Sequence, residues 1–433
     1  MVSFSLPLLA ACGLSLFVPQ DWPQFLGPNR DGVIDWPAAE AVLKDGVTKV
    51  AWRTSVGNGY GGAAIRDDQV FLLDRIGTAE DRLRVFAIAD GKPLWQAGYP
   101  AEGRLSFKGS RTVPVVTSDQ VFTAGGLGHV TAFSRETHEV LWSVNLEEDL
   151  GGERPMFGYS TNLLAVGDLV VAAVLGKETG LVAFEGATGK VRWKSEHAGY
   201  SHSSPMLAQV AGEEQILFLG CPEAASGSDQ AEPSWIQGFD PTSGKLLWRY
   251  ETTFARLPIP PPVQIDAERF FVTAGYRAGS RMVRVTKPGD EYKVEELFSL
   301  DRGSQIQSAV RHGDHLYMLA NENWNQSRRR RAEGGLVCLD LDGKELWRTG
   351  DDPYFGRGAL LLAGDTLLIQ DGFNGVLHAV KASPDGFQPI ASFDGFEYSG
   401  DDDEQIWAPM AYSDGYLVSR SHRDLVCVSL RER

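Results

Sequence analysis

Apolar runs too short for helices, separated by turns rich in Gly and Asp, follow one another along most of this chain. One phrase returns at a nearly fixed interval: a short apolar strand, a Gly turn, and a strand closing on Trp. It reads VFAIADGKPLW (85–95), TAFSRETHEVLW (131–142), LVAFEGATGKVRW (181–193), IQGFDPTSGKLLW (236–248) and LVCLDLDGKELW (336–347). Degenerate copies end at Phe298 and Phe393. Upstream of the phrase, apolar pairs are split by Gly167-Asp168, Gly313-Asp314 and Gly364-Asp365, two-residue hairpin signals. Each unit therefore predicts four short antiparallel strands, and a unit of this size cannot bury a core alone.

Counting from Trp95 to Phe393, the markers are spaced 47, 51, 55, 50, 49 and 46 residues apart, which gives seven units. Three further strands are predicted within 406–430, with no fourth after them. The missing outer strand is expected at 48–56, where Trp52 stands 43 residues before Trp95. The pattern predicts an all-β, eight-bladed β-propeller of four-stranded antiparallel blades over 48–433, its ring closed by an N-terminal strand. A β-solenoid would need shorter rungs and has no use for a split last unit. The closing residues Trp52, Trp95, Trp142, Trp193, Trp248 and Trp347 are expected to dock each blade on the next, burying large apolar area.

Two segments precede the ring. Residues 1–20 form an apolar leader without a basic start, and Leu9-Ala10-Ala11-Cys12 resembles a lipobox in which Cys12 would be lipidated. Export to the periplasm or cell envelope is expected. Residues 21–47 carry Trp22, Phe25 and Trp36, too apolar for a free tail, and are expected to pack along the outside or base of the propeller.

Composition narrows the partners. A net charge of −16 and a low isoelectric point disfavour nucleic acid. The run Arg328-Arg329-Arg330-Arg331 reads as a solvated loop. Of the four cysteines, Cys338 and Cys427 occupy matching places in alternate blades and read as core residues rather than a disulfide. No CxxCH motif for covalent haem occurs.

The phrases FEGATGKVRW and FDPTSGKLLW, with DWPQFLGPNRDGV at 21–33, resemble the pyrroloquinoline-quinone (PQQ) enzyme repeat of secreted bacterial propellers. The resemblance covers residues 21–430. It implies the propeller fold, and it spans both quinone-dependent dehydrogenases and non-catalytic relatives, such as the lipoprotein of the outer-membrane barrel assembly machinery. The dehydrogenases commonly carry a vicinal disulfide and a Ca²⁺ held by carboxylate and amide ligands. Adjacent cysteines are missing here, and Asp401-Asp402-Asp403-Glu404, the nearest thing to a ligand cluster, reads as a solvated loop.

Loops joining one blade to the next share a face with those joining second to third strands. Long insertions at 73–82, 221–234 and 321–331 fall on that face. Tyr60, Arg111, Tyr159, His202, Arg357 and Trp407 immediately precede inner strands and are expected to ring the channel mouth, either as a ligand site or as a seal. His202 has the ordinary pKa of a general base but no partner visible in sequence. The resulting expectation is a monomeric, non-catalytic exported module, with no cofactor and no metal, that binds an envelope protein or polymer. The alternative is a PQQ- and Ca²⁺-dependent alcohol or sugar dehydrogenase. Fold alone does not choose between them.

Overall fold

The computed structural model describes residues 20–45, 48–223, 233–255, 257–321, 332–396 and 406–431. The leader with Cys12, the arginine run 328–331 and the acidic run 401–404 lie outside them.

Eight four-stranded antiparallel sheets follow one another in chain order. The first consists of Ala64–Arg66, Gln69–Ile76, Glu80–Ala87 and Pro93–Pro100. The last consists of Ala411–Ser413, Tyr416–Arg420, Asp424–Ser429 and, as its outer strand, Lys49–Ser55. Trp52 pairs with Cys427 across that seam. The chain is an eight-bladed propeller closed by its N-terminal strand, which covers an edge that Asp424–Ser429 would otherwise expose.

Burial follows strand position. Second strands such as Leu169–Ala173 and Thr366–Gln370 are buried along their whole length, because a neighbouring blade covers each face. Outer strands alternate, as in Pro93–Pro100. The apolar clusters form between blades: Leu83, Val85 and Phe71 of blade 1 pack with Val121 and Phe133 of blade 2, and equivalent sets recur around the ring. Stability is therefore shared between neighbours.

The Gly-turn–Trp phrase has a direct physical reading. Each outer strand carries a one-residue bulge just before its closing residue, which fixes the same register in every blade. The indole then reaches the third-to-fourth strand turn of the following blade. Trp142 Nε1 donates to Gly186 O at 2.8 Å, Trp193 to Pro241 O at 3.1 Å, Trp52 to Ile88 O at 2.6 Å and Trp347 to Ser383 O at 2.9 Å. The turn glycines lie under these rings: Gly244 has φ +71, and a Cβ there would stand 2.3 Å from Trp193. A side chain is excluded by both conformation and contact. Trp95 instead stacks on His138, and Trp248 donates within its own blade to Gln215.

Blade 7 moves one marker and leaves the count unchanged. Its bulge places Ala391, not Phe393, opposite Ala379 in the closing position. The helix Ala39–Lys44 covers this gap, with Leu43 set beside Ala391, Leu368 and Leu377.

The N-terminal arm lies on the channel side of the inner strands rather than along the outside. Trp22 exchanges two backbone hydrogen bonds of 2.9 Å with Ile65 of blade 1, and Pro23 O accepts from Val116 N of blade 2. Val33–Ile34 adds a parallel fifth strand to the inner edge of blade 7, Ala359–Ala363. Asp21 and Trp36 meet the first-to-second strand turns at Asp67 and Gly364. Those turns face away from the blade-to-blade loops, so the arm spans the base of the channel and leaves the mouth to the loops.

Candidate functional site at the channel mouth

The blade-to-blade loops converge on a chain of ring contacts. Tyr60 stacks on Trp407 with centroids 4.8 Å apart, and Phe107 lies against both. Phe107 continues to Phe157 at 5.4 Å, and Phe157 to His202 at 5.7 Å. On the other side, the Arg357 guanidinium covers the Trp407 ring at 4.4 Å and donates to Gln305 Oε1, whose amide donates in turn to Tyr276. Gln307 donates to Trp407 O. Tyr60, Trp407 and Arg357 thus form one stack, with His202 at the far end of the same chain. Phe107, which sequence reasoning did not single out, and Phe157, from a loop expected at the mouth, are its connecting members. Their signal was the aromatic content of the loops, without a register to choose among positions.

Tyr159 departs from the group. It is 1 % exposed, packed in the apolar cluster between blades 2 and 3, with its hydroxyl donating to Val174 O. Gly158, at φ +78, turns the chain so that Phe157 faces the mouth and Tyr159 the core.

Electrostatics at the mouth come from burial. Arg111 holds its own loop by donating to Gly109 O and Phe107 O, and burial draws its pKa down to about 10. Arg357 is lowered to about 10 for the same reason. His202 is pushed down to about 4, by burial first and by the Arg111 charge second, so its imidazole is neutral at pH 7. Its Nδ1 lies 2.6 Å from Ser160 Oγ, a partner that the sequence did not reveal. Nε2 has no hydrogen-bond partner among the described residues.

Beneath Tyr60 lies a second unforeseen feature. Arg420 is 1 % exposed and its guanidinium donates to Gly57 O, Gly61 O, Ser110 Oγ and Asp74 Oδ1. Asp74 also accepts from Gly57 N and from Arg84. This buried pair joins blade 8 to the loops on either side of blade 1. Gly59 passes so close that a Cβ would meet the guanidinium at 2.5 Å.

Two buried carboxylates on the mouth side are committed to arginines, Asp74 to Arg420 and Asp81 to Arg75 at 2.7 Å, while Asp371 accepts from Phe373 N. Among the described residues no three His, Cys, Asp or Glu converge as a metal site. Cys221, Cys338 and Cys427 are buried thiols in separate places. Among the described residues, then, no carboxylate cluster offers itself to Ca²⁺, and no two cysteines are adjacent.

The family profile described as "Outer membrane protein assembly factor BamB" matches residues 79–258, within blades 1–4. Among solved structures, BamB from Moraxella catarrhalis is similar over 88 % of this chain and 100 % of its own, with a TM-score of 0.60 and 15 % identity. Quinohemoprotein alcohol dehydrogenase from Comamonas testosteroni is similar over 96 % and 81 %, with a TM-score of 0.64 and 11 % identity. A europium-containing methanol dehydrogenase is similar over 95 % and 98 %, with a TM-score of 0.60 and 11 % identity. No curated protein matches the chain by sequence. At these identities the likenesses to solved structures speak to the fold alone. Together with the eight-bladed ring they show a β-propeller whose blades 1–4 are similar to the assembly-factor profile.

Proposed function

We propose that this chain is a non-catalytic, exported binding or scaffold module of the cell envelope, which engages a protein or polymer through its loop-rich face. The observation that carries this reading is the closed mouth: Phe157, Phe107, Tyr60, Trp407 and Arg357 contact one another across the channel. A filled centre leaves the loop tips as the contact surface. Met156, 60 % exposed, and the exposed Lys108 stand on two of those tips. The match of blades 1–4 to an assembly-factor profile and the apolar leader support an envelope setting. Cys12 would add a lipid anchor.

The test pairs two measurements. A photo-crosslinking residue at Met156 should yield discrete adducts in envelope fractions, and one at Leu94 on the outer rim should not. The same purified protein, incubated with PQQ and Ca²⁺, should reduce no dye with alcohols or sugars. PQQ-stimulated dye reduction would establish the dehydrogenase alternative. Adducts from Leu94 with none from Met156 would move the binding surface off the mouth.

A further inference from the structure

A second concavity lies at the opposite end of the channel, where the arm meets blades 4, 5 and 6. It encloses about 360 Å³, a volume in the range of small-molecule sites. Its apolar wall includes Leu26, Val33, Leu217 and Val263. Its charged groups are two arginines, Arg30 and Arg311, and one carboxylate, Asp31.

Arg30 lines it and is 4 % exposed. The guanidinium donates to Leu163 O at 2.8 Å, Pro205 O at 3.1 Å, Gln24 Oε1 at 3.3 Å and the Met206 sulfur at 3.5 Å. These use four of its five N–H groups, leaving the second Nη2 hydrogen with no partner among the described residues. No carboxylate stands within ion-pair distance of it there. Burial without a counter-charge draws its pKa down to about 9. An uncompensated buried cation is costly, and four neutral acceptors do not cancel its charge.

Arg311 approaches the same cavity from blade 6, at its exposed rim, donating to Gly313 O and Ile265 O. The lining carboxylate, Asp31, accepts from Val33 N at 3.0 Å and forms no ion pair with either arginine. Two guanidiniums, one buried and one at the rim, therefore outnumber the single carboxylate around one apolar-walled space.

We propose that this base cavity binds a small organic acid, its carboxylate on Arg30 and Arg311 and its apolar body against Leu26, Val33 and Leu217. Guanidiniums suit a carboxylate because their N–H forks match its two oxygens. The site lies on the face opposite the mouth, so it stands or falls independently of the mouth's role.

The test is calorimetric titration of the full chain with 4-phenylbutyrate and with its neutral amide, which keeps the size and removes the charge. Saturable binding of the acid at least tenfold tighter than the amide is expected. Arg311→Met, at the exposed rim, and Asn29→Trp, which blocks the cavity from its exposed side, should each weaken the acid tenfold or more at an unchanged melting temperature. These positions avoid the buried Arg30, whose loss would loosen the arm. Failure of the acid to saturate, equal binding of acid and amide, or full affinity in both variants would overturn the proposal.

Discussion

His202 shows how one buried side chain ties the mouth to pH. Its folded pKa, near 4, lies below the ordinary value of 6.5, so the unfolded chain binds the proton more readily. Stability attached to His202 is complete above pH 6.5 and is lost as pH falls through that value toward 4. The full shift corresponds to roughly 3 kcal/mol as an upper limit. His202→Gln should flatten the pH dependence of unfolding between pH 4 and 6.5, as read by chemical denaturation at several pH values. An unaltered slope would place the acid sensitivity elsewhere. The neighbouring Arg111 remains cationic throughout that window and so sharpens the cost of a second charge beside it.

At the scale of the element, the working unit is a Trp on one blade with the Gly turn of the next. Trp193 is 7 % exposed, sits over Gly244 and donates to Pro241 O. Trp193→Ala removes both the ring and the hydrogen bond across the blade 3–4 seam, and should cost roughly 3–5 kcal/mol, read as a lowered denaturation midpoint. Loss of less than about 1 kcal/mol would mean that the seam collapses on the void. Blade 7 shows how the unit can be replaced. With Ala391 in the closing position, the arm helix lays Leu43 over the gap, so a segment outside the repeat takes over the work of a Trp.

The ring as a whole depends on two different uses of the N-terminal region. Residues 20–45 close the base of the channel, and Lys49–Ser55 completes blade 8. Two truncations separate them. A chain starting at Thr48 loses the arm's buried contacts and should melt earlier while remaining monomeric. A chain starting at Gly57 also exposes the edge of Asp424–Ser429, and should self-associate, as read by size-exclusion chromatography with light scattering. If both remain monomeric, the apolar seam between blades 8 and 1 and the Arg420–Asp74 pair suffice to hold the last blade to the first.

Blade number and closure were legible in the sequence because they rest on periodicity. A Gly turn followed by a strand ending in Trp repeats its own geometry wherever it occurs, and only the eight-bladed count leaves the strand at 48–56 a place. The same ladder misread blade 7, since composition offered Phe393 while the bulge chose Ala391. At the mouth the sequence identified the loops but not the facing side chains. Tyr159 and Phe157 are two residues apart, and a single left-handed glycine between them sends one to the core and the other to the aromatic chain. The Ser160–His202 contact, the Arg420–Asp74 pair and the reach of Arg30 into blades 3 and 4 join residues 42, 346 and up to 176 positions apart. No local pattern encodes such pairings. They exist because ring closure brings distant loops to one axis, where burial fixes the charge of each group.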